Sequence, residues 1–112
     1  MSYDYEVVDV IRVVDGDTFD LRIDLGFHLT AALRFRLMGV DTPELYGRYA
    51  TSQGPEAKTF VEQWTTNHNG ALRVRTYKGD SFGRWLADLY DSTTEEDLAE
   101  ALIDVGLGKV MT

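Results

Sequence analysis

Residues 17–25, DTFDLRIDL, place Phe19, Leu21, Ile23 and Leu25 at alternate positions with polar residues between them. A period of two describes a strand with one buried face and one wetted face. Before it, residues 5–14 (YEVVDVIRVV) are rich in the β-branched residues that favour strands. Asp15-Gly16 between the two runs is a short hairpin signal, in which glycine supplies the positive φ of a type I′ turn. The chain therefore opens with an antiparallel pair that must cover one face. Asp17 shares the parity of Phe19 and Leu21, so its carboxylate is expected to point inward at the end of that face.

The remaining periodicities extend this beginning. Residues 29–40 (LTAALRFRLMGV) read as a third strand, and residues 41–53 (DTPELYGRYATSQ) as a polar loop. Gly54-Pro55-Glu56 opens a helix, because proline is preorganised for a first turn. Ala57, Phe60, Val61, Trp64 and His68 follow on one helical stripe, which ends at Asn69-Gly70. Residues 71–77 and 84–90 are two further strands, joined by a turn over residues 78–83. Thr93 and Glu96 form a capping-box signal for a second helix. Its stripe is Leu98, Ala101, Leu102 and Val105, and it ends at Gly106. Five strands with a helix between the third and fourth is the layout of an α+β, mainly β, five-stranded OB-fold barrel. Small open α+β sheets share the same count. The 112 residues suit one domain spanning residues 1–112.

Composition narrows the function classes. Hydrophobic residues make up 44% of the chain, enough for a packed core and against disorder. With no cysteine there is no disulfide framework, zinc–thiolate site or thiol nucleophile, which fits a reducing compartment. The start, MSYDYE, has none of the features of a signal peptide, and no apolar run approaches the ~18 residues of a membrane span. A cytoplasmic monomer without membrane contact is expected. The net charge of −8 opposes tight nonspecific binding of nucleic acid. The charge is uneven, however. Residues 1–33 hold two Arg against seven Asp/Glu, whereas residues 73–84 hold Arg73, Arg75, Lys78 and Arg84 against Asp80 alone.

Three short motifs carry the chemistry. They are Val14-Asp15-Gly16-Asp17-Thr18, the run from Arg36 through Asp41-Thr42-Pro43-Glu44, and Gly83-Arg84. Taken singly, each has a structural explanation: a hairpin turn, a proline turn, the start of a strand. Together they supply two carboxylates for a metal, a third carboxylate and two arginines. Phosphodiester hydrolysis needs such a set. A hard cation held by oxygen ligands neutralises and polarises the phosphate. A carboxylate can deprotonate the attacking water. Guanidinium groups match phosphate oxygens bidentately.

These motifs, with the stretches VVDGDT, FRLMGVDTPE, GPEA, FGR and EALIDVGLGKV, resemble the staphylococcal nuclease (thermonuclease) family from about Val8 to Val110. The resemblance implies an OB-fold and a Ca²⁺-dependent endonuclease acting on DNA and/or RNA, which cleaves the 5′ P–O bond and leaves 3′-phosphate ends. It implies that Asp17 and Asp41 are the calcium carboxylates and that Thr42 contributes its backbone carbonyl. Glu44 resembles the general base, and Arg36 and Arg84 the two phosphate-binding arginines. Phe82 takes the place of a tyrosine, Ser81 of a lysine and Trp85 of a glycine. The family's later pocket tyrosines and third helix have no counterpart before Thr112. Tyr46 and Tyr49, in the loop, are candidates to stack on substrate instead.

Two further expectations follow from the residues. Arg36 lies on the opposite strand face from Leu37 and Asp41, so a bulge at Gly39 is expected to re-aim the chain. His28 and His68 have no metal-ligand spacing and are expected to be packing or surface residues. A non-catalytic OB-fold binding module and an acidic mimic of nucleic acid are the rival functions. The first predicts a lost carboxylate or arginine, and none is lost; the second leaves the paired arginines unexplained.

Overall fold

The computed structural model describes residues 2–45, 51–80 and 82–111. Among the described residues, seven strands and two helices follow in the order β1 (Tyr3–Asp15), β2 (Thr18–Gly26), β3 (Leu29–Leu37), β4 (Val40–Asp41), α1 (Gly54–Asn67), β5 (Leu72–Gly79), β6 (Trp85–Asp91), α2 (Leu98–Asp104) and β7 (Lys109–Val110). Five of the strands close a barrel in the order β1-β2-β3-β6-β5, and β4 and β7 form a separate two-stranded sheet. The mainly β α+β barrel with two helices expected from the periodicities is therefore present.

Closure depends on β1. Its first residues, Tyr3–Glu6, pair with β5, and its later ones pair with β2. Register shifts between Val7 and Asp9, Val10 and Arg12, and Val13 and Asp15 coil the strand between these two partners. Irregularities of this kind increase local twist and let one strand serve two sides of a barrel. The seam opposite is the short parallel pairing of β3 with β6, in which Phe35 faces Trp85 and Arg36 faces Leu86. The alternation read in residues 17–25 points Phe19, Leu21 and Ile23 inward, all essentially fully buried with Phe35, Leu37, Val74 and Leu89. Complete burial of side chains of this size stabilises the fold by about 1.5–3 kcal/mol each. Helix α1 buries Ala57, Val61 and Trp64 of the expected stripe.

Three local expectations are corrected. The third strand stops at Leu37 and does not run to Val40, because the chain reverses at Met38-Gly39, with Gly39 at φ 80°. Gly16 has no positive φ; it is required by close approach, since a Cβ there would lie 2.7 Å from Thr42 Oγ1 and 2.9 Å from Ala57 Cβ. The second helix is capped by Asp97, whose carboxylate accepts the Glu100 N–H at 3.2 Å, and not by Thr93. The N–H groups of Thr93 and Thr94 go instead to Asp91, at 2.7 and 2.9 Å. Thr93 is thus committed to the turn that precedes the helix.

That turn supports one pH prediction. The Thr94 N–H, and then His68 beside it, hold the Asp91 carboxyl below its usual range. His68 places Nδ1 2.6 Å from Asp91 and Nε2 3.1 Å from Glu96, tying the end of α1 to the segment before α2. A carboxyl depressed in the folded state contributes stability that is fully present above its unfolded value, near 4, and is lost as pH falls through the folded value. The thermal midpoint is therefore expected to fall as pH drops below about 4, and Asp91→Asn to flatten that limb. Melting curves of both proteins from about pH 6 to about pH 2 check this. An unchanged acid limb in the variant would remove Asp91 as its cause.

Candidate active site

The hairpin of β1 and β2 and the end of β3 meet at one corner of the barrel. Leu37 N–H donates to the Asp17 carbonyl at 2.8 Å, which fastens the end of β3 to the hairpin turn. Asp17 is 7% exposed. One carboxylate oxygen accepts the Thr18 hydroxyl and the other accepts the Thr42 N–H, both at 3.2 Å. Beyond Leu37 the chain folds back, and Val40–Asp41 pairs with Lys109–Val110. This reversal solves the parity problem at Arg36. No bulge within β3 is needed, because the backbone returns over the face that Arg36 occupies. Arg36 Nη1 donates to the carbonyls of Leu37 and Val40, at 2.5 and 3.0 Å. Its Nη2 lies 3.5 Å from the Asp17 carboxylate and 3.4 Å from that of Asp41. One guanidinium therefore bridges two carboxylates that stand far apart in sequence.

Negative charge is concentrated there. Asp15 accepts the Asp17 N–H at 3.1 Å, and its carboxyl is pushed up to about 6 by burial, by Asp17 beside it and by the Glu44 charge. Thr42 Oγ1 is buried and makes no hydrogen bond among the described residues. A crowded set of carboxylates and an unsatisfied buried hydroxyl is a suitable place for a hard cation. Every donor in the set is oxygen, which favours calcium or magnesium over softer metals. Asp17, Asp41 and the Thr42 carbonyl are the groups that would hold it. Among the described residues no three acidic or histidine side chains converge on one point, so waters would complete the sphere.

Beside this corner lies a cavity of about 310 Å³, lined by residues that include Asp41, Thr42, Glu44, Gln53, Leu107 and Lys109. Glu44 is exposed to it. Its backbone is clamped against the start of α1: Thr51 N–H donates to the Glu44 carbonyl at 3.0 Å, and a Cβ at Gly54 would lie 2.3 Å from that oxygen. The GPEA motif thus has a steric purpose, since glycine lets the helix touch the Glu44 backbone. Lys109 was not singled out by residue type or spacing. Only its pairing with Asp41 across β4 and β7 brings it to the cavity, and the stretch GLGKV was its one sequence signal.

Arg84 is placed differently from Arg36. The register sets it two residues before Leu86, the partner of Arg36, and on the same face of the β3–β6 pair. Its guanidinium nevertheless turns back on Asp80, with Nε at 2.8 Å and Nη2 at 2.7 Å from Oδ2. Asp80 Oδ1 also accepts the N–H groups of Phe82 and Arg84, at 2.9 and 3.0 Å. This one carboxylate shapes the turn and aims the arginine. Phe82 is 80% exposed, and its ring centroid is 5.3 Å from the Arg84 guanidinium. Tyr46, Tyr49 and Ser81 lie outside the described residues. Arg73 and Arg75 are engaged with Asp4 across β1 and β5, at 2.8 and 3.2 Å, so the basic run of residues 73–84 is partly neutralised. His68 is a packing residue, as expected, with its ring 4.3 Å from that of Trp64.

Comparison with known proteins places the fold in a family. A protein of Methanocaldococcus jannaschii, named "Uncharacterized protein MJ1439", is 27% identical over 123 residues, which cover 90% of this chain and 57% of the relative. The chain thus spans little more than half the length of that relative. Residues 34–112 match the family described as staphylococcal nuclease homologue. The match starts in β3 and includes Arg36, the Asp41–Glu44 segment and Arg84. Asp17 precedes the match and joins it through the hydrogen bond to Thr42. With the closed five-stranded barrel and a match over most of its length, the chain belongs to the staphylococcal nuclease homologue family.

Proposed function

We propose that this chain is a calcium-dependent endonuclease that hydrolyses phosphodiester bonds of DNA and/or RNA. The observation that carries the proposal is the bridge made by Arg36 Nη2 between the Asp17 and Asp41 carboxylates, beside the unsatisfied Thr42 hydroxyl. Two separate motifs meet at that bridge, and the residue types suit phosphate chemistry. A bound divalent cation would neutralise and polarise the phosphate. Arg36 would hold the ligand carboxylates in place and present its remaining donor edge to a phosphoryl oxygen. Glu44, exposed at the neighbouring cavity, would take a proton from the attacking water. The water oxygen then bonds to phosphorus, and the 5′ oxygen departs with its electron pair and gains a proton. The product is a 3′-phosphate end, the outcome implied by the family resemblance. Arg84 would exchange Asp80 for the charge that grows on the phosphate in the transition state. Lys109 adds a cation at the cavity wall.

Digestion of a plasmid and of a labelled RNA tests this reading. Cleavage is expected with Ca²⁺ and not with chelator, and Glu44→Gln should lose about 100-fold or more in rate. Calorimetry should show Ca²⁺ binding that Asp17→Ala and Asp41→Ala each weaken sharply. Retention of nucleic acid without cleavage by the wild-type protein would favour the binding-module alternative. Unchanged Ca²⁺ binding in both aspartate variants would overturn the metal assignment.

A further inference from the structure

One contact of Arg36 plays no part in the chemistry proposed above. Its Nη2 lies 4.0 Å from Met111 Sδ, within reach of a weak N–H···S hydrogen bond. The backbone sets the position of that sulfur. Val40–Asp41 pairs with Lys109–Val110, and the next N–H, that of Met111, donates to the Gly39 carbonyl at 3.0 Å. Met111 is thereby pinned to the reversal whose flanking carbonyls, of Leu37 and Val40, hold Nη1 of the same arginine. The Arg36 side chain is only 12% exposed, whereas Met111 is 50% exposed. A half-open thioether thus covers part of a guanidinium that is itself nearly buried. The chain has no cysteine, so its three methionines hold all of its sulfur. Among the described residues, Met111 is the one whose sulfur hydrogen-bonds a candidate site residue.

We infer that Met111 is a site of oxidative modification that controls Arg36, its sulfoxide lowering the affinity of this corner for phosphate. This role rests on the phosphate chemistry proposed above and gives that site a means of regulation. The oxidant is a peroxide. The Sδ lone pair bonds to one oxygen of hydrogen peroxide and the O–O bond breaks. The second oxygen leaves as hydroxide, takes the proton of the first and departs as water. Sulfur is oxidised by two electrons and the peroxide is reduced by two. A thioether is a weak acceptor, so a phosphoryl oxygen displaces it from Nη2 readily. Oxidation turns the flexible apolar side chain into a polar one. The new oxygen is a better acceptor than sulfur and stands one bond closer to Nη2. Phosphate must then displace an oxygen from the guanidinium instead of a sulfur. Half-exposure lets peroxide reach Sδ and keeps the added oxygen wet, so the change stays local to the corner and leaves the core intact.

Treatment with dilute hydrogen peroxide tests this. Oxygen addition at each methionine is followed by peptide mass spectrometry, and every protein is compared with its own untreated sample. Oxidised wild type is expected to lose about tenfold or more in kcat/KM on a labelled oligonucleotide with Ca²⁺. Its affinity for the same strand in chelator, read by anisotropy, should fall by about tenfold as well. The thermal midpoint should not move, which separates a local block from unfolding. Met111→Leu keeps the volume and removes the sulfur, so peroxide should change neither readout. Met38→Leu should stay as sensitive as the wild type. The two methionine sulfoxide reductases, one for each epimer, should restore the oxidised wild type. Full oxidation of Met111 with both readouts unchanged overturns the inference, and so does an equal loss in Met111→Leu. Resistance of Met111 to peroxide while Met38 is oxidised overturns it too. A wild type that never cleaves, but whose binding in chelator falls on oxidation, would defeat the nuclease proposal and leave the role of Met111 standing. Cleavage with Ca²⁺ that oxidation of Met111 leaves unchanged would do the reverse.

Discussion

Arg36→Lys is expected to cut turnover about 100-fold or more, with Ca²⁺ affinity changed far less. The guanidinium contacts the Leu37 and Val40 carbonyls, which flank the reversal at Gly39, and the Asp17 and Asp41 carboxylates. An ammonium group keeps the charge, but it cannot span these partners with one planar fork. The Asp17 and Asp41 carboxylates would keep a cation beside them, whereas the phosphate would lose the guanidinium's remaining N–H donor. Interactions that strengthen as charge builds on phosphorus lower the barrier, whereas uniform binding does not. The loss should therefore appear in kcat more than in KM. Arg84→Lys is the companion variant. Because Arg84 rests on Asp80 in the free protein, its contribution arises only when phosphate draws it away. A comparable fall of two orders of magnitude in kcat is expected, with a smaller effect on the thermal midpoint than Arg36→Lys. Single-turnover rates and calcium titrations of both variants check this. Near-normal turnover in Arg84→Lys would leave Arg84 as a residue of the turn and remove it from the proposed mechanism.

Gly54→Ala is expected to lower activity by about 100-fold although no atom of Gly54 belongs to the chemistry. The added Cβ would lie 2.3 Å from the Glu44 carbonyl oxygen and 2.7 Å from Leu45 Cα. Both are backbone atoms, so no side-chain rotation relieves the clash. Either α1 moves away from the 41–45 segment or that segment moves away from the Asp17 corner. A misplacement of about 1 Å at a reacting group is enough to cost two orders of magnitude. Overpacking of this kind also destabilises by roughly 1–3 kcal/mol. The effect should fall on kcat, while affinity for the calcium proposed to bind at Asp17 and Asp41 stays closer to that of the wild type. A variant with full activity and an unshifted melting temperature would show that the contact of α1 with Glu44 relaxes freely.

Much of the architecture was legible because its causes are local. The alternation of Phe19, Leu21 and Ile23 and the stripe of Ala57, Val61 and Trp64 follow from single-element periods, and those side chains are buried. The parity of Asp17 was enough to expect a carboxylate turned inward, and it is buried. The candidate site residues could be named because their chemistry and order resemble a family, and the family match covers Arg36, Asp41, Thr42, Glu44 and Arg84 but not Asp17. Other features had no local signal. Gly16 looked like a turn glycine, yet its constraint comes from Thr42 and Ala57, which are distant in sequence. The reversal at Gly39 is held by a pairing of Asp41 with Lys109, a contact between residues far apart in the chain. Thr93 fits a capping pattern as well as Asp97 does, and the commitment of its N–H to Asp91 decided between them. Arg73, Arg75 and Arg84 read as available charge until their carboxylate partners were in place. Residue type and period determine which faces are buried and which groups carry charge. Which charges are already spent, and which glycines stand where two backbones touch, depends on long-range closure of the barrel, and only the tertiary structure decided it.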